Sequence, residues 1–164
     1  MKKLSFIFAA VFAVIVSSNA FAGEPKFYNV TSDDIKNFTE NFEQIGAQID
    51  ELEDSDFDID NSENFADIIK SLEKIKGLDK VLADNGISGK NREAKFVVIL
   101  FGAIIVTLED QFEQNPAMVE QMKAQGQDPE KVLEPYTSQI SSKDLAVLKE
   151  NKDVLIAFAA KNFN

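Results

Sequence analysis

The chain has 164 residues, with 28 acidic and 17 basic side chains, a net charge of −11, and neither cysteine nor histidine. Ser-His-Asp and Cys-His catalysis, the usual His or Cys zinc sites and His-ligated haem therefore lack a required side chain, and the fold does not rely on disulfides. The acidic balance argues against nucleic acid as a partner, because proteins that bind it neutralise phosphates with a basic surface.

Residues 1–22 read as a secretory signal peptide. Lys2 and Lys3 form a charged start, Leu4 to Val16 is an apolar run of 13 residues, and Ala20-Phe21-Ala22 offers small residues to a signal peptidase. As a helix this run rises about 20 Å, short of the roughly 30 Å hydrocarbon layer, so cleavage before Gly23 is expected rather than retention as an anchor. The Met-Lys-Lys start suggests a bacterial exporter and hence the periplasm. Residues 23–164 are then expected to form a single helical domain, long enough for one real core. Losing Lys2 and Lys3 moves the net charge from −11 to −13.

After a short extended lead-in, Val30-Thr31-Ser32-Asp33-Asp34-Ile35 predicts a helix start. Thr31 is the N-cap, Asp34 the acidic N3 residue, and Val30 and Ile35 form a hydrophobic staple. Ile35, Phe38, Phe42, Ile45, Ile49 and Leu52 then recur at spacings of three and four, a helical stripe carried to about Glu53. Asp54 to Asp60 reads as an acidic loop, and Asp60 with Glu63 as a further capping pair. Phe65, Ile68, Ile69, Leu72 and Ile75 predict a second helix ended by Gly77, and Leu78 to Asp84 a third, stopped by Asn85-Gly86.

Phe96 to Val106 is uninterrupted apolar sequence, followed by Thr107 and Leu108. A helix here is apolar all round and must be enclosed. Gly102 would admit a neighbouring backbone. The competing reading is a hairpin turning at Gly102-Ala103, disfavoured because no other segment offers strands to pair with. Asn115-Pro116 and Asp128-Pro129 each combine an N-cap with proline at N1, and Pro135 should kink or end the second of these helices. Ile140 to Leu145 repeats the cap and staple of residues 30–35, as local capping chemistry rather than a duplication. The chain finishes as one broken helix or two, through Leu148, Leu155, Phe158 and Phe163. The expected fold is all-α: a single compact bundle of about six or seven helices around a central, fully apolar helix, Phe96 to Leu108.

Charge is concentrated. Residues 33–63 carry 12 acids and one base, Lys36, and Asp50 to Glu63 holds eight acids and no base. Such a segment repels itself unless water, cations or a basic partner offset it. One frame of the loop resembles a calcium-binding EF-hand, with Asp56, Asp58 and Asp60 at positions 1, 3 and 5 and Asp67 at position 12, since alternate carboxylates suit a hard cation that takes six to eight oxygens. Asn61 stands where glycine is preferred, Glu63 where an apolar residue belongs, and Asp67 is shorter than the expected bidentate glutamate. Ser71-Leu72-Glu73-Lys74 matches the serine-x-x-lysine pattern of penicillin-recognising enzymes, without the companion motifs. Lys70, Lys74, Lys76 and Lys80 form a basic counterpart, read as a solvated face.

The function expected from these features is that of an exported, non-enzymatic helical protein that acts by binding, as an envelope adaptor or chaperone-like factor. Its partner would be a protein or envelope component, basic if residues 33–63 make the contact. The alternatives are a weak calcium-binding module built on loop 54–67 and a small carboxylate-dependent hydrolase.

Overall fold

The structure, a computed structural model, describes residues 26–52 and 65–163. The signal-peptide reading, the loop residues Asp54, Asp56, Asp58 and Asp60, and the Asp60–Glu63 capping pair lie outside the described residues. Within them the fold is all-α, with eight helices: α1 Ser32–Asp50, α2 Phe65–Glu73, α3 Leu78–Asp84, α4 Arg92–Gln114, α5 Pro116–Ala124, α6 Pro129–Thr137, α7 Ser142–Glu150 and α8 Lys152–Asn162. The C-terminal stretch is thus two helices, broken at Asn151.

Helix α1 forms as its sequence dictates. Thr31 Oγ1 accepts from the Asp34 N–H at 3.1 Å, and the Asp34 carboxylate accepts from the Thr31 N–H at 3.0 Å. Ile35, Phe38, Phe42, Ile45 and Ile49 are all buried, so the stripe is the core-facing side of the helix. Because the helix ends at Asp50, short of Glu53, Leu52 is only half-buried. Gly77, at φ 91°, opens α3 rather than merely ending α2.

Helix α4 packs against each of the other seven helices. Its residues from Glu93 to Val106 are buried, while Thr107 and Leu108 are half-buried. The segment from Phe96 to Leu108 is therefore one helix, with no turn at Gly102-Ala103. Around it the aromatics converge: the Phe38 ring lies 5.3 Å from Phe42, 5.4 Å from Phe96 and 5.3 Å from Phe158. This joins α1, α4 and α8 through tilted and edge-on contacts, each worth about 0.5–1.5 kcal/mol beyond its buried area. On the other side of α4, Phe101 meets Phe65 of α2 at 4.1 Å and Tyr136 of α6 at 6.2 Å.

Two local readings are corrected. The neighbour that needs Gly102 is a side chain, not a backbone: a Cβ there would lie 2.7 Å from Leu148 Cδ1 of α7 and 3.0 Å from Cγ. Gly102→Ala should therefore destabilise, because overpacking costs about 1–3 kcal/mol while the better helix propensity of alanine returns only about 1 kcal/mol. The net loss, up to about 2 kcal/mol in urea denaturation, should shrink when Leu148→Ala is added. Equal losses in both backgrounds would show that Leu148 is not the obstacle. Pro135 does not end its helix, since α6 runs on to Thr137. The carbonyl of Pro135 accepts from Gln139 Nε2 at 2.7 Å, and Gln139 Oε1 accepts from the Phe65 N–H at 2.8 Å, so the end of α6 also satisfies the first turn of α2.

Candidate functional site

The acidic segment is the first candidate, and folding divides it. Of its six carboxylates among the described residues, Asp34 is fully buried and Glu43 accepts from Lys161 Nζ at 2.8 Å, which holds the Glu43 carboxyl below its usual range. Asp33, Glu40 and Glu51 face solvent. Asp67, the calcium-frame residue among the described positions, sits in the first turn of α2 with its Oδ1 3.6 Å from Lys70 Nζ. Lys70, Lys74, Lys76 and Lys80 are exposed, and Lys80 pairs with Asp84 one turn along α3. In the serine-x-x-lysine segment Ser71 is half-buried and Lys74 exposed, while Leu72 points into the core.

Asp34 belongs to a buried polar cluster. Its Oδ2 accepts from Lys95 Nζ at 2.7 Å, and both residues are almost wholly enclosed. Its Oδ1 accepts from the Ser88 N–H at 2.7 Å and the Ser88 hydroxyl at 2.9 Å. Burial pushes the Asp34 carboxyl up, but the hydrogen bonds from Lys95, Ser88 and Thr31 outweigh it and hold the group below the usual carboxylate range. With both oxygens occupied by protein donors, the cluster acts as a staple between α1, the loop before α4 and α4 itself.

A second aspartate does similar work. Asp144, the N3 residue of α7, is fully buried and accepts from the N–H groups of Tyr28 and Val30, each at 2.8 Å, and from the Ser141 hydroxyl at 2.9 Å. The lead-in to α1 thereby lies beside the lead-in to α7, with a parallel bridge between Lys26 and Ile140. The two matching caps in the sequence are thus neighbours in space.

Glu93, in the first turn of α4, is the buried carboxyl with the opposite tendency. Burial raises it, its own N–H pulls it back, and Asp79 and Glu73 raise it further against Arg92. A carboxyl raised in the fold makes the native state bind more protons than the unfolded chain, so stability falls as pH rises from about 4.3 through the folded pKa. Glu93→Gln should therefore be more stable than the parent at pH 7 and match it near pH 4. A constant difference across that range in urea midpoints would contradict the assignment.

One open cleft, about 170 Å³ and lined by Val106, Glu109, Asp110, Glu113, Lys149 and Lys152, lies where α4 meets the α7–α8 junction. It is smaller than the roughly 300–1,000 Å³ of small-molecule sites. Glu109 accepts from Lys149 at 2.9 Å and Asp110 from Gln114 at 2.7 Å, so two of its three carboxylates already have partners. A hydrolytic pair needs two carboxyl groups in distinct roles across a substrate, and here Glu113 is the one left unengaged among the described residues.

The remaining candidate is the arm that follows α4. Helix α5 contributes no buried residue. Met118, Val119 and Met122 are half-buried on it, as is Phe112 at the end of α4, while Val132 on α6 is 38% exposed. None of these five belongs to the core cluster or packs against it. The sequence places the start of α5 correctly, with the Asn115 side chain accepting from the Met118 N–H at 3.4 Å. A short helix with only three large apolar residues in nine, Met118, Val119 and Met122, is the available signal. Among the described residues no helix is long and apolar enough to cross a membrane. Comparison of the chain with protein-family models, with curated proteins and with solved structures returns no match.

Proposed function

We propose that the protein is exported to the periplasm and acts there by binding, as an envelope adaptor or chaperone-like factor, without catalysis of its own. The observation that carries this reading is α5: a well-capped helix without a fully buried residue, which holds Met118, Val119 and Met122 half-buried and outside the core cluster. Apolar side chains left partly in water gain from a partner that covers them, and methionine, unbranched and polarizable, adapts to varied surfaces. The acidic flank on α1 is a weaker candidate surface than its charge suggested, since Asp34 and Glu43 already have internal partners.

The test has two parts. The protein produced in a bacterial host should be recovered from the periplasm beginning at Gly23, by N-terminal sequencing; a cytoplasmic chain beginning at Met1 would end the export reading. Crosslinking in envelope extract should then yield a defined partner with the parent protein and with Glu40→Gln/Glu51→Gln, but not with Met118→Ser/Met122→Ser. Because Met118 and Met122 are half-buried and lie outside the core cluster, that double variant should remain folded, with a melting temperature close to the parent's. Unchanged capture by it would refute the binding role of the arm.

A further inference from the structure

The arm carries a specific charge as well as an apolar surface. Residues 112–134 hold Glu113, Glu120, Asp128, Glu130 and Glu134 against Lys123 and Lys131, and all seven charged side chains are exposed. An apolar face at spacings of one and four on α5 is thus set among a net charge of −3. We infer that this surface receives a basic amphipathic helix from another protein, its apolar side chains meeting Phe112, Met118, Val119, Met122 and Val132 and its lysines or arginines meeting the acidic surroundings. This inference rests on the binding role proposed above and names the partner's chemistry.

Charge complementarity selects that occupant. An anionic lipid surface is repelled by the same carboxylates. A second copy presenting the same arm would oppose −3 with −3. The lysines of a second copy at α2 and just after it, Lys70 and Lys74, come with Ile68, Ile69 and Leu72 buried in that copy's own core, so they have no apolar face to offer. Nine residues of α5 rise about 13 Å, so an occupant of about three to four turns covers the face.

The probe is a synthetic 14-residue peptide of leucine and lysine at helical spacing, with a counterpart in which glutamate replaces lysine, each titrated by fluorescence anisotropy against the full mature protein. The lysine peptide should bind, with affinity falling as salt rises, and the glutamate peptide should not. Met118→Ser/Met122→Ser should weaken binding about ten-fold or more, whereas Glu40→Gln/Glu51→Gln on α1 should leave it unchanged. Equal affinity for the two peptides, full binding by the arm variant, or loss of binding in the α1 variant would overturn the inference. So would cosedimentation of the protein with phosphatidylglycerol vesicles, lost in the arm variant, in place of peptide binding. If arm-dependent capture from envelope extract succeeds while the lysine peptide fails, the partner chemistry falls and the binding role stands.

Discussion

Lys95→Met should cost about 3–5 kcal/mol, the expected loss when one member of a buried ion pair is removed and the other left enclosed. Lys95 and Asp34 are 2% and 0% exposed, and their contact at 2.7 Å is the charge-assisted link between α1 and α4. Methionine fills the lysine stem but leaves the carboxylate with only the Ser88 and Thr31 donors. Asp34→Asn/Lys95→Met, which removes both charges, should recover much of the loss, because a pair of neutral groups of similar shape needs no counter-ion. Additive losses in the double variant would show that the two side chains do not depend on each other. The pH dependence gives an independent reading. Asp34 is held below its usual range, so its stabilisation is present above about pH 3.9 and is lost as pH falls through the folded pKa. Below that range the parent buries an unpaired ammonium while Lys95→Met buries no charge, and the gap between the two urea midpoints should narrow.

Asp144→Ala should cost about 2–4 kcal/mol and should act locally. The substitution leaves the Tyr28 and Val30 N–H groups without their acceptor, at about 1–3 kcal/mol for a buried donor, less what water recovers once the segment loosens. It also removes the carboxylate to which the Ser141 hydroxyl donates. The lead-in to α1 is tied to the start of α7 through this carboxylate and the Lys26–Ile140 bridge, and beyond the other end of α7 the Asn151 side chain donates to Ser32 Oγ in the first turn of α1 at 3.0 Å. Hydrogen exchange should therefore rise first at Tyr28 and Val30, while the amides of α4 keep their protection. Uniformly faster exchange would mean that the contact supports the whole fold rather than its N-terminal edge. Asp144→Asn retains an acceptor oxygen and should fall between the two.

These predictions concern residues whose local role was plain and whose distant role was not. Thr31, Asp34, Ser141 and Asp144 read as helix caps because a cap is recognised by residues three apart. Lys95 stands in the sequence just before the apolar run that starts at Phe96, yet it lies one turn inside α4, where every neighbour from Glu93 to Val106 is enclosed. A lysine within an all-round apolar helix is the trace such a pair leaves in a sequence, and one acid among 28 cannot be singled out as its partner. For the candidate surfaces the difficulty is reversed. The acids of residues 33–63 stood out by density, but density does not distinguish Asp34, buried, from Glu40, exposed. The apolar residues of α5 matched those of α1 in spacing, but spacing does not say whether a core lies opposite them.

The all-α class, the cap positions, the core stripe of α1 and the enclosure of the segment from Phe96 to Val106 were determined by the sequence itself. Each depends on side chains within about a turn of one another, where period and propensity act directly. Only the tertiary structure decided that Asp34 meets Lys95, that Asp144 gathers the lead-in to α1, that Leu148 takes the space over Gly102, and that α5 is left outside the core. Those outcomes depend on which distant segments come together, and the cost or gain of a buried charge or an uncovered methionine exists only once they have met.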